Sequence, residues 1–205
     1  MKREIIAYKG YFKEFFENLD AGTQDKILYV LMLLQTQDRI PLKFMRLIEE
    51  GLYELRIEYQ SNIYRIFFCF DEGRIVILFN GFQKKTEKTP KKEIDKAKIL
   101  RKEYMEAKTN EEFFNVSALI DERFGKEGTA SRAEAEEKAY AFYTGQIIED
   151  ARKKAKITQA ELARRIGSDR SYISRVESGQ TEPKVSTFYR IMNALGCKIE
   201  FSMIL

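Results

Sequence analysis

The chain has 205 residues, 44 % of them hydrophobic and 33 % charged, and a net charge of +4; that is material for one or two packed domains. It contains no histidine and two cysteines. This excludes Ser-His-Asp hydrolysis, histidine acid–base chemistry and HExxH metalloprotease sites, and it leaves too few ligands for a zinc centre, so no metal and no other cofactor is expected.

No apolar run reaches the roughly 18–20 residues of a membrane helix, and the opening MKREIIAYKG lacks the apolar core of a signal peptide. A cytoplasmic location and no membrane partner are expected. Residues 3–8 read as a short strand. Phe12, Phe15, Phe16 and Leu19, then Ile27, Val30, Leu31 and Leu34, fall at helical spacing, and Asp20-Ala21-Gly22 divides them into an antiparallel helix pair. Three β-rich runs come next, at Leu52–Tyr59, Ile63–Phe70 and Arg74–Lys85, separated by short polar turns, which predicts an antiparallel meander. After Pro90, residues 91–106 form a basic amphipathic helix with Ile94, Ala97, Leu100 and Tyr104 on one face. The order β-α-α-β-β-β-α predicts a small α+β domain over 1–108. Residues 109–131 hold another amphipathic element, with Phe113, Val116, Ile120 and Phe124 spaced by three or four. A long Ala/Glu/Lys-rich helix over 132–156, helices at 158–166, 169–178 and 184–195, and a strand-like end, CKIEFSMIL, complete the chain. Cys69 and Cys197 both lie in alternating apolar stretches, where buried free thiols are expected.

Charge is distributed in blocks: residues 1–108 carry 21 Lys+Arg and 17 Asp+Glu, residues 109–147 carry 4 and 8, and residues 148–205 carry 11 and 7. A basic–acidic–basic order fits two anion-binding modules joined by an acidic segment, or ordinary variation in surface charge. Within the first block Arg65 stands out, because it sits in IYRIFFCF, apolar on both faces. An arginine in a central strand is costly unless it is paired or lines a concave site; Glu54 and Glu58 are the candidate partners. With two-residue turns centred on Ser61-Asn62 and Glu72-Gly73, Glu58 pairs with Arg65 and Arg65 with Asn80. Arg56, Arg65, Asn80, Phe82 and Lys84 then share one sheet face. Residues 84–102 add nine Lys/Arg against three acids. A basic run beside a sheet face that already holds two arginines favours a phosphate-lined groove, with Phe82 placed to stack on a base.

The runs GLYELR (51–56), NIYRIFF (62–68) and GFQKKTEKTPKKEIDKA (81–97) resemble the RelE/HigB toxin superfamily, in particular its phage-derived Gp49-like branch. The resemblance covers 1–108 and implies a compact sheet with helices on one face and ribosome-dependent cleavage of messenger RNA. It assigns the catalytic charge to Arg56, Arg65, Lys84 and Lys85, and RNA binding to Lys43, Phe82, Lys88, Lys91 and Lys92. Guanidinium and ammonium groups would stabilise the phosphorane formed when a 2′-OH attacks its neighbouring phosphate. With histidine absent, Lys84 or Lys43 is left as a proton carrier.

Gln159–Val176 reads QAELARRIGSDRSYISRV, a helix-turn-helix pattern. Ala163 permits close helix approach, Gly167 the left-handed turn, and Ile173 and Val176 bury the second helix. Arg170, Ser171, Tyr172, Ser174 and Arg175 are left facing outward toward a major groove. Residues 158–196 resemble the Xre/Cro-type repressors, HigA antitoxins in particular; the resemblance maps backbone contact to Gln159 and the recognition helix to Arg170–Arg175, while the residues themselves give Thr158 as N-cap with Glu161 at the capping-box position and phosphate reach to Gln180 and Lys184. Such repressors dimerise, and the strand carrying Ile199, Phe201 and Met203 could pair with a symmetry mate or cover the helical core.

The expectation is therefore a RelE-like α+β domain (1–108), an acidic toxin-neutralising segment (109–147) whose Phe113, Val116, Ile120 and Phe124 dock on the toxin half while its acids neutralise or occlude the Arg56/Arg65/Lys84 site, and an all-α Xre/Cro-type domain with a short closing strand (148–205). Expected partners are mRNA on the ribosome, operator DNA and a second copy of the chain. The alternatives are a repressor with a non-catalytic N-terminal module, or a gyrase-poisoning toxin of the same superfamily.

Overall fold

Residues Tyr64 to Cys69 are buried without interruption, so β4 (Asn62–Asp71) must lie inside a sheet covered on both faces. In the computed structural model, which describes residues 3–37, 43–72, 75–85, 88–107 and 113–200, this sheet has six strands in the order β2-β3-β4-β5-β1-β6. Their ranges are β1 Glu4–Tyr8, β2 Met45–Glu49, β3 Leu52–Tyr59, β5 Ile75–Lys84 and β6 Phe113–Asn115. β3, β4 and β5 form the antiparallel meander that the polar turns predict.

β1 runs parallel to β5, so the sheet is mixed rather than antiparallel as expected. The reason lies in the connection that leaves β1. Two helices, α1 (Tyr11–Glu17) and α2 (Ala21–Thr36), take the chain away from it, and no hairpin fixes its direction. Asp20 ends the break between them by accepting from the Thr23 amide at 3.0 Å. α2 is buried almost all round, from Ile27 to Gln35.

Helices cover both faces of the sheet, not one. α3 (Lys91–Ala107) packs Ala97, Leu100 and Tyr104 on Leu52, Phe67, Cys69, Ile77 and Phe79. α1 and α2 lie on the opposite face, where a Cβ at Gly81 would meet the Phe15 ring at 2.2 Å.

Beyond α3 the chain returns to this sheet. β6 pairs with Ile6–Tyr8 of β1, and α4 (Val116–Phe124) starts at once, capped by Asn115. Where β6 stops, Ser117 Oγ takes over, accepting from the Ile5 amide at 2.9 Å and from Gln35 Nε2 at 2.8 Å. α5 (Ala130–Lys154) begins with Arg132, whose guanidinium is 1 % exposed and reaches Asp121 at 2.8 Å and Glu136 at 3.0 Å. The chain accordingly divides into two compact units, Met1–Glu136 and Glu137–Leu205.

In the second unit α6 (Gln159–Ile166), α7 (Arg170–Glu177) and α8 (Val185–Ala194) gather with Ile148 around Leu162, Ala163, Ile166, Ile173, Val176 and Ile191. Gly145 lets the long helix pass this close: a Cβ there would lie 2.1 Å from the Val176 carbonyl oxygen. Residues 197–200 carry no strand, and Phe201 and Met203, the other alternating positions of the expected closing strand, lie outside the described residues. Among the described residues no helix is long and apolar enough to cross a membrane.

Candidate nucleic-acid interfaces

Two register details build the first site. The β3–β4 turn is centred on Gln60-Ser61, both with positive φ, so Tyr59 pairs with Asn62 and Arg56 stands directly opposite Arg65. This is two positions from the expected pairing of Glu58 with Arg65. A shift of two keeps each side chain on its face, which is why Arg56 and Arg65 still come together. Between β4 and β5 the register slips after Ile66, leaving Phe79 and Asn80 opposite Phe67. Asp71 pairs with Ile75, one position beyond the expected register, and this β-bulge adds a second, so Phe82, not Asn80, lies across from Arg65. Asn80 is 2 % exposed and donates to the Glu93 carboxylate at 3.1 Å.

On this face, beside the start of α3, lies a cavity of about 550 Å³ lined by Arg46, Ile48, Glu54, Arg56, Arg65, Lys84, Lys88, Thr89 and Ile94. It has five cationic side chains and one carboxylate. The Glu54 side chain is 1 % exposed. Its Oε1 accepts from Arg56 Nε at 2.9 Å and lies 3.3 Å from Arg65 Nε, while Oε2 accepts from Thr89 Oγ1 at 2.9 Å. The Arg65 contact is close enough for charge pairing but is not aligned as a hydrogen bond. Arg65 Nη1 donates to the Tyr64 carbonyl at 3.0 Å. Burial pulls the Arg65 pKa down, and the Glu54 charge opposes that pull. One buried carboxylate thus faces the buried Arg65 and the half-buried Arg56, and the remaining cations leave the cavity positive, as an anion site requires.

Of the residues assigned from the sequence, Arg56, Arg65, Lys84 and Lys88 meet here. Lys85, Lys91 and Lys92 are exposed outside the lining, and Lys43 is half-buried outside it. Phe82 is not an open stacking platform: its ring packs on Phe67, centroids 5.9 Å apart, and joins the α3-side core. Arg46 and Thr89 were not expected. Arg46 comes from β2, where it pairs with Glu54; the weak alternation in MRLIE was the available signal. Thr89 precedes Pro90 at the approach to α3, a position that sequence periodicity does not weigh.

Phe113 packs edge-on against Tyr104 and beside Tyr8. Val116 and Ile120 are fully buried, and Phe124 stacks on Tyr29 at 5.4 Å. These four residues lie against the β1 side of the sheet. No described residue of 113–136 lines the cavity, and Glu111 and Glu112 of the expected neutralising segment lie outside the described residues. The carboxylate in the site is Glu54.

In the second unit Thr158 caps α6 through the Glu161 amide at 3.1 Å. Glu161 turns to Arg164 and Arg165 instead of closing a capping box. Gly167 ends the helix in the left-handed region at φ 64°, and Asp169 caps α7 through the Tyr172 amide. Arg170, Ser171, Ser174 and Arg175 are exposed on α7, and Gln180 and Lys184 are exposed beyond it. Ser171 donates to Asp169 and accepts from Arg175 at 3.2 Å, tying three polar side chains along the helix start. Tyr172 is half-buried against the core. Gln159 is drawn inward: its Nε2 donates at 2.8 Å to Glu177, a buried carboxylate held by Arg152 Nε and Nη2 at 2.6 and 2.9 Å.

Residues 14–102 match the family model described as phage derived protein Gp49-like (DUF891), and residues 148–202 match the helix-turn-helix model. The chain joins a Gp49-like domain, of a RelE/HigB-type toxin family, to a helix-turn-helix domain. The Gp49-like match contains every residue of the cavity lining and stops before β6 and α4. The helix-turn-helix match contains α6, α7 and α8 entire. Among solved structures, the restriction-modification controller protein C.AhdI from Aeromonas hydrophila is 28 % identical over 31 % of this chain and 91 % of its own, with a TM-score of 0.30. No curated protein matches the chain.

Proposed function

We propose that this chain is a toxin–antitoxin pair in one polypeptide: a metal-independent endoribonuclease acting on mRNA at the ribosome, followed by a helix-turn-helix unit that binds operator DNA and represses its own promoter. The observation that carries the first half is the convergence of Arg46, Arg56, Arg65, Lys84 and Lys88 on one cavity of about 550 Å³ in the Gp49-like domain. An RNA phosphate seated there is surrounded by guanidiniums from three strands, β2, β3 and β4, and by two lysines. Attack by the 2′-OH builds negative charge on the phosphorane, and these groups stabilise it. Lys84 and Lys88 are the cavity's amines and are assigned both proton transfers: one takes the 2′-OH proton as the P–O2′ bond forms, and the other gives a proton to the 5′ oxygen as the P–O5′ bond breaks. Lys85, outside the cavity, is assigned substrate contact, as are Lys43, Lys91 and Lys92.

For the second half, the support is an exposed α7 face carrying Arg170, Ser171, Ser174 and Arg175 beside Gln180 and Lys184. The α7 residues read base edges, and Gln180 and Lys184 bind phosphates. Palindromic half-sites and a homodimer follow from that mode of reading. Restraint of the nuclease is assigned to access at the ribosome, since the described residues 113–136 leave the cavity unlined.

Induced expression of residues 1–136, with and without Arg56→Ala and Arg65→Ala, tests the nuclease reading. We expect translation to stop while DNA synthesis continues, with mRNA 5′ ends appearing within reading frames, and both substitutions to abolish the effect. Arrest of DNA synthesis ahead of translation would instead identify gyrase poisoning.

A further inference from the structure

We propose that Glu54 is a positioning residue: a buried carboxylate that aims two strand arginines into the cavity without meeting the substrate. The proposal rests on the cavity being a phosphate site. Its basis is how the oxygens of Glu54 are used. Both are occupied inside the protein, Oε1 by Arg56 Nε with Arg65 Nε beside it, and Oε2 by Thr89 Oγ1. With the side chain 1 % exposed, neither oxygen is presented to an RNA hydroxyl.

Nε is the stem of a guanidinium, and pinning it fixes the plane and heading of the two terminal nitrogens. Among the described residues no partner holds either terminal nitrogen of Arg56, and Arg65 engages only Nη1, at the Tyr64 carbonyl. Three terminal nitrogens are therefore left for an anion. Strand geometry makes this possible. Glu54 and Arg56 are two residues apart on one face of β3, and Arg65 is delivered opposite Arg56 by β4. Two adjacent guanidiniums repel; a carboxylate set against both stems offsets that repulsion and leaves their forks outward. Through Thr89 the same carboxylate ties the approach to α3 to the sheet, closing one wall of the cavity.

A carboxylate that merely screens charge predicts the opposite behaviour, and the sign separates the two roles. Screening alone means that removing the negative charge tightens anion binding and that a shorter carboxylate changes little. Positioning means that both changes weaken it. The test uses the full chain, its arginine Nε–H signals followed by NMR well below the unfolding midpoint, with inorganic phosphate as the titrant. For Glu54→Gln and Glu54→Asp we expect faster solvent exchange of the Arg56 Nε–H and phosphate binding weaker by about tenfold, the scale of one charge-assisted hydrogen bond. Unchanged exchange in Glu54→Asp, or tighter phosphate binding in Glu54→Gln, would overturn the proposal. Should both variants lose the native spectrum, Thr89→Val decides: faster Arg56 exchange supports the role and unchanged exchange defeats it. Phosphate that leaves both wild-type arginine signals unmoved would defeat the phosphate-site reading itself, and the exchange rates would still decide whether Glu54 holds Arg56.

Discussion

Burial sets the chemistry of single residues here, and the two cysteines show it. Cys69 lies in the α3-side core, and desolvation pushes its thiol up to about 12. Cys197 is only half-buried, so the expectation that both thiols are buried holds for Cys69 alone. A thiol reagent at neutral pH should modify one cysteine in the native protein and both after unfolding; mass spectrometry of the labelled peptides identifies which. Glu161 shows the converse. Hydrogen bonds from Arg164 and Arg165 lower its carboxyl to about 2 from 4.5. The charged form is the favoured one, so its contribution to α6 is whole above about 4.5 and fades as pH falls through about 2. Carbon-13 titration of the carboxyl should show this depressed midpoint, and Arg164→Ala should move it back upward; an unmoved midpoint would show that the pairing does not persist in solution. Arg65 was legible in the sequence because a charge in an unbroken apolar strand has few physical explanations. Which glutamate pairs with it was not legible, since Glu54 and Glu58 share a face and the choice rests on a hairpin centred one residue earlier than expected.

At the scale of elements, the helices and the three long strands could be read from periodicity, whereas β2, β6 and the direction of β1 could not. β2 and β6 have five and three residues, too few for a period to declare itself, and β1 takes its direction from contacts with a strand some 70 positions later. The bulge between β4 and β5 was equally invisible, and together with the pairing of Asp71 with Ile75 it exchanges Asn80 for Phe82 opposite Arg65. These omissions change the first domain's working limits. Ending the chain at residue 108 removes β6, exposes the Ile5 amide and Gln35, and strips away Val116 and Ile120, both fully buried. Burial of two such side chains contributes about 3–6 kcal/mol, so residues 1–108 should melt well below residues 1–136 in a calorimetric scan. Equal midpoints would mean that β6 and α4 are appended to the domain rather than part of it. In the second unit, Gly145→Ala should destabilise by about 1–3 kcal/mol, because its Cβ would lie 2.1 Å from the Val176 carbonyl oxygen and 2.8 Å from that of Glu177, both backbone atoms. A shift in the denaturation midpoint measures this.

For the whole molecule, the block pattern of charge fits two anion-binding modules or ordinary variation in surface charge, and each unit carries a cationic feature: a recessed cluster of cations beside α3 in the first, an exposed helix face in the second. The acidic stretch between them lends Val116 and Ile120 to the first unit, and none of its described residues 113–136 lines the cavity. That outcome was not readable from sequence, since apolar spacing says that a helix docks and not where. The first compact unit ends at residue 136, and the proposed nuclease is therefore tested to that residue. The most direct test is therefore cleavage of mRNA on translating ribosomes by residues 1–136, compared with the same chain carrying Arg56→Ala or Arg65→Ala. We predict cuts within the message that require the ribosome, persist in EDTA-treated enzyme, and fall by about 10²–10³-fold in either variant, the loss expected for one transition-state donor. Intact message with the folded wild-type unit, or undiminished cleavage by both variants, would contradict the account.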